Sequence, residues 1–121
     1  MKYKIALLKS HESDDHLQWI SSLAKHLDIL EYDVIEFTQS NWLKNIKSKE
    51  YDIFICRPPG RNANFKQLYD ERVFVLNNIL YKKIYPSLNE ILIYENKRFL
   101  SDFLAANEIP HPKTYVFYNK N

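Results

Sequence analysis

An α/β fold in three layers, with a mostly parallel sheet between helices, is predicted by three features of this chain. Short apolar runs of strand length lack the polar alternation of a half-exposed strand, amphipathic stretches of helical period lie between them, and the chain is long enough for one core. Its 121 residues carry 45% apolar and 15% aromatic side chains and 26% charged ones. Such a chain buries roughly two-thirds of the surface that it exposes when unfolded. Ordinary apolar content argues against a disordered chain, and a single cysteine, Cys56, argues against a disulfide framework. The run after Met1-Lys2-Tyr3-Lys4 is too short for the apolar core of a signal peptide, and no run approaches the length of a membrane span. A cytoplasmic domain that binds neither membrane nor nucleic acid is therefore expected, since 17 Lys+Arg against 15 Asp+Glu leave a net charge of only +2.

The elements follow in order. Tyr3 to Lys9, centred on Ile5-Ala6-Leu7-Leu8, has the length and continuity of a strand covered on both faces. Ser13 is placed to cap a helix whose first turn holds Asp14 and Asp15. Leu17, Ile20, Leu23, Leu27 and Leu30 then continue a helical period, so a helix is expected over 14–31. A second strand is expected at 32–37, a short helix with Trp42, Leu43 and Ile46 on one side at 41–49, and a third strand at 51–57, the most apolar of all. Pro58-Pro59-Gly60 stops it, and a loop spans 58–64. Leu68, Val75, Leu76 and Ile79 mark the buried face of a helix over 65–82. Ile84-Tyr85 is a brief strand halted by Pro86, and Ser87-Leu88-Asn89-Glu90 fits a capping box for a short helix. Asn96 caps a last helix, with Phe99, Leu100, Phe103 and Leu104 on one face, that stops near Asn107 ahead of Pro110 and Pro112. A strand is expected over 114–118.

This alternation is that of a Rossmann-like sheet with right-handed crossovers, whose ligands lie beyond the carboxyl ends of the strands where the strand order reverses. The loops 10–15 and 57–64 qualify. Gly60 is the only glycine, so neither a G-x-G-x-x-G turn nor a Walker A loop can be present, and a phosphate would have to be held by side chains, by a helix N-terminus or by residues outside these 121.

Several residues fit such chemistry, each with a plainer alternative. Arg57 ends the most apolar strand, and Arg61 and Asn62 follow it in the loop; a guanidinium fork at a strand end suits bidentate capture of a carboxylate. Equally, Arg57 could pair with Asp52, Asp70 or Glu71. Arg72 falls among apolar positions of its helix and is expected to point into the cleft unless it pairs internally. His11, after the first strand, could orient a substrate or act as a base, or simply be exposed. Lys97 and Arg98 sit in the first turn of the helix capped by Asn96, where cations oppose the helix dipole and make better sense beside an anion; the alternative is two solvated side chains. His16, His26 and His111 lack second ligands at metal spacing, and Cys56 lies in a buried strand, so neither a metal site nor a cysteine nucleophile is expected.

Between 84 and 118, Ile84-Tyr85-Pro86-Ser87-Leu88-Asn89-Glu90, Tyr94-Glu95-Asn96-Lys97-Arg98, and Leu104-Ala105-Ala106-Asn107-Glu108-Ile109-Pro110-His111-Pro112-Lys113-Thr114-Tyr115-Val116-Phe117-Tyr118 resemble the junction into the nucleotide-binding domain of ATP-grasp ligases. The similarity is to the glutathione synthetase, ribosomal-protein S6 modification and D-alanine:D-alanine ligases. It implies a pre-ATP-grasp domain over 1–95 and, over 96–121, a linker helix and first strand of a truncated ATP-grasp domain. It further implies a carboxylate activated by ATP as an acyl phosphate and attacked by an amine, with a small-molecule or peptide carboxylate as substrate. ATP and magnesium would be held mainly by a part beyond these residues, with Lys97 the one phosphate-binding position matched. The fragment alone would be inactive, and a homodimer is compatible with this reading. The competing expectation is a non-enzymatic, flavodoxin-like binding or protein-interaction module. A phospho-acceptor version is disfavoured because the third strand ends in Arg57 where an acceptor aspartate would stand.

Overall fold

Ile5, Ala6, Leu7 and Leu8 form the buried centre of the sheet, as an apolar run without alternation requires when both faces of its strand are covered. The computed structural model describes residues 1–10, 16–59, 63–94 and 96–109. Its elements run β1 (Tyr3–Lys9), α1 (His16–Leu23), β2 (Leu30–Glu36), α2 (Trp42–Lys47), β3 (Ile53–Cys56), α3 (Ala63–Phe74), β4 (Ile84–Tyr85), α4 (Leu88–Ile93) and α5 (Lys97–Ala106). The fold is α/β, and the four strands are all parallel in the order β2-β1-β3-β4. Leu8 stands opposite Ile35 on one side and Cys56 on the other. The order reverses between β1 and β3, as expected of this topology.

One main core lies on one face of the sheet. Ala6 and Leu8, Ile35 and Phe37, and Phe54 and Cys56 meet Ile46 of α2, Tyr69 and Val73 of α3, Leu76 beyond it and Ile91 of α4. Phe37 packs edge-on against both Trp42 (5.3 Å) and Tyr69 (5.0 Å). Trp19 of α1 meets Tyr85 at 6.5 Å. Near the amino end of the sheet, the Asp33 carboxylate accepts from Lys49 Nζ (2.9 Å) and Tyr51 Oη (2.8 Å). These bonds, that from Lys49 first, hold its carboxyl below the usual range.

Several elements depart from the sequence-based expectation. The helix expected over 14–31 ends at Leu23, followed by a 3-10 turn at Ala24–His26, and Leu30 already belongs to β2. Pairing of Leu30 with Tyr3, extended by the Tyr3 N–H donating to the Ile29 carbonyl at 3.0 Å, takes these residues for the sheet; a strand bonded along its length outweighs a local helical period. The buried side of α3 is Lys66, Tyr69 and Val73, continued by Leu76, whereas Ile79 is exposed. The helix is turned relative to the expected face because Lys66 and Tyr69 bury polar tips that find partners. Its continuation, Val75–Ile79, is a π-helical segment. Ser13, Asp14, Asp15 and the expected strand over 114–118 lie outside the described residues.

With Gly60 the sole glycine, left-handed backbone positions fall on bulkier residues: among the described residues, Tyr81 has φ 56° and Glu108 φ 57°. Glu108 closes α5, its N–H donating to the Ala105 carbonyl (3.1 Å) while that of Ile109 reaches Leu104 (2.9 Å), the paired bonds of a Schellman ending. Tyr81 follows the π-helical segment and is 87% exposed. A Cβ is disfavoured at such φ, so Tyr81→Gly and Glu108→Gly are each expected to stabilise the chain by about 0.5–1 kcal/mol. Thermal melts check this; an unchanged or lowered midpoint in both would contradict it.

Candidate functional site

The carboxyl ends of β1 and β3 are tied together by one side chain. Tyr69 of α3, fully buried, donates its hydroxyl proton to the Leu8 carbonyl (2.6 Å) and accepts from the Arg57 N–H (2.8 Å). Burial, above all, raises its phenol well above the ordinary value, so this hydroxyl stays protonated and structural at neutral pH. Pro58 and Pro59 are buried beside it and stiffen the exit from β3. Ser10, just past β1, is 1% exposed, and its hydroxyl has no hydrogen-bond partner.

From this platform the Arg57 guanidinium reaches over the ring of Tyr94, 5.9 Å from its centroid. Tyr94 caps the carboxyl end of α4 and lies three positions before Lys97. The Asn96 N–H donates to the Ile93 carbonyl (3.0 Å), and the Asn96 side chain caps α5 by accepting from the Phe99 N–H at 3.1 Å. α5 thus begins where α4 ends, with Lys97 and Arg98 exposed in its first turn. The Arg57 guanidinium thus meets Tyr94, three positions before Lys97 in the chain.

Of the acids considered for Arg57, Asp52 accepts from the Lys4 N–H (2.7 Å) and Asp70 from Lys66. Arg72 takes the internal alternative, a correction to the expected cleft orientation. Its Nη1 donates to the carbonyls of Phe37 (2.7 Å) and Gln39 (2.9 Å), and its guanidinium covers the Trp42 ring at 5.2 Å. The Gln39 carbonyl also accepts from the Trp42 N–H (3.3 Å), so the guanidinium is fixed on the turn that leaves β2. His11, Arg61 and Asn62 lie outside the described residues.

Lys66 and Asp70 carry no signal in the sequence beyond an i, i+4 spacing. Lys66 is 7% exposed; it pairs with Asp70 and donates to the Ile91 carbonyl at 2.9 Å. Burial, more than Lys66 offsets, raises the Asp70 carboxyl, and its second oxygen has no hydrogen-bond partner.

The Arg57 guanidinium over the Tyr94 ring and the exposed side chains of Lys97 and Arg98 are cations, a chemistry suited to anions. Burial pushes the Cys56 thiol up to about 12, so it stays protonated at neutral pH and is a poor nucleophile. Among the described residues, no cluster of His, Cys, Asp or Glu could hold a metal ion, and no helix is long and apolar enough to cross a membrane. Compared with known proteins, the chain matches no family model, no curated protein and no solved structure.

Proposed function

We propose that this chain is the substrate-binding pre-ATP-grasp domain of an ATP-dependent carboxylate–amine ligase, with residues 1–95 forming a three-layer domain and 96–121 leading into the ATP-binding part. The observation that carries the reading is the Arg57–Tyr94 contact. It brings a guanidinium from the end of β3 to Tyr94, three positions before Lys97, the exposed first residue of a capped helix. In a ligase of that kind a carboxylate is converted by ATP to an acyl phosphate, which an amine attacks with loss of phosphate and of its own proton. Arg57 would hold the carboxylate through its fork, and Lys97 would meet a phosphate oxygen together with the free N–H groups of the first turn of α5. The Trp19–Tyr85 contact supports a helical layer on the second face of the sheet. Magnesium finds no ligand set among the described residues and is assigned to the part beyond them.

Lys97→Ala tests the assignment in the chain expressed with whatever follows Asn121 in its reading frame. A charge-assisted bond to phosphate contributes about 1.5–3 kcal/mol, so ATP affinity is expected to fall ten- to a hundredfold or more by titration calorimetry. Thermal stability should hold or rise slightly, because the substitution removes a cation from the positive end of α5. Equal affinities would remove Lys97 from the nucleotide site, and a frame ending at Asn121 would leave the interaction-module reading.

A further inference from the structure

We infer that the buried Lys66–Asp70 pair is a positioning device that fixes where α4 and α5, and with them Lys97, stand against the carboxyl end of β3. This rests on the reading of Lys97 given above.

α4 has six residues, of which only Ile91 is buried, and α5 has no buried residue among its ten. Apolar contact is non-directional, so Ile91, with Leu88 half-buried against the core, leaves the rotation and axial position of α4 poorly specified. The Lys66 ammonium supplies direction. It comes from the first turn of α3, directly after the loop that leaves β3, and its proton points at one carbonyl of α4, that of Ile91. Asp70, one turn along α3, holds the ammonium from the other side. α5 inherits the setting through the Asn96–Ile93 bond.

A buried ion pair seldom stabilises a fold more than apolar side chains of the same volume would. This pair also stands under an unfavourable arrangement, a cation near the positive end of α3 and a carboxylate oxygen without a partner. Stability therefore does not account for its presence. A directional bond between the element that leaves β3 and the element that leads to Lys97 does, because the Arg57–Tyr94 contact beside it is not directional.

The test is a distance measured by electron spin resonance between labels at the exposed positions Gln67 of α3 and Asp102 of α5, with the buried Cys56 unavailable to label. Lys66→Met/Asp70→Leu replaces the pair by apolar side chains. It is expected to keep the melting midpoint within about 5 °C while broadening the distance distribution about twofold or more. A folded double variant with a distribution as narrow as that of the unaltered protein would overturn the inference. Should that variant be too tightly packed to fold, Lys66→Ala/Asp70→Ala in trimethylamine N-oxide is measured the same way. Failure of both to fold would also overturn it, because the pair would then be chiefly a source of stability. ATP takes no part in this measurement, so it can fail while Lys97 still binds phosphate, and the reverse.

Discussion

Lys66→Met alone is expected to destabilise the chain by about 2–4 kcal/mol, lowering the melting midpoint by on the order of 10 °C. The substitution leaves Asp70 with a side chain only 16% exposed and no cation, and it leaves the Ile91 carbonyl without its donor. The loss stays below the full cost of an isolated buried charge because Asp70 keeps some contact with water and its raised pKa allows it to take up a proton. A raised carboxyl pKa has a definite sign. The variant should recover part of its loss as the pH falls through the Asp70 titration, where the carboxyl becomes neutral in the folded chain before it does in the unfolded one. Adding Asp70→Leu should restore most of the stability at neutral pH. Chemical denaturation of the two variants at two pH values decides the matter; a loss under about 0.5 kcal/mol for Lys66→Met would mean that water satisfies Asp70.

Tyr69→Phe is expected to cost about 2–3 kcal/mol, although only one oxygen is removed. That oxygen makes two bonds, to the Leu8 carbonyl and the Arg57 N–H, at a place from which water is excluded. The pH dependence identifies the cause. The phenol of Tyr69 is raised above its usual value of about 10, so its contribution is complete below that pH and is lost as the pH rises through its folded value. The gap between the two proteins should therefore narrow above about pH 10. Tyr51, raised to about 12 chiefly by burial, titrates in both proteins and cancels in the comparison. A gap that stayed constant to high pH would show that Tyr69 contributes through its ring alone.

The candidate site was legible only in part. Arg57 and Lys97 could be singled out because each stands at a place with a local signature, the end of an apolar strand and the first turn after an Asn cap. Nothing local relates them; Arg57 meets Tyr94, three positions before Lys97, only because the chain folds back on itself. Arg72 stood out as a charge among apolar positions, but its partners, Phe37 and Gln39, are more than thirty positions away. Lys66 and Tyr69 read as ordinary polar positions on the wrong side of a helix, because their burial depends on a distant carbonyl for each tip.

By itself the sequence determined those elements whose causes are complete within a few residues: β1 from its unbroken apolar run, β4 cut short by Pro86, and the starts of α4 and α5, where the Ser87 and Asn96 side chains reach N–H groups three positions on. Only the tertiary structure decided where α1 gives way to β2, which face of α3 turns inward, and that a lysine joins α3 to α4. Hydrogen bonds between strands and between helices, far apart along the chain, outweighed a local period there, since each buried polar group must find a partner wherever the fold supplies one.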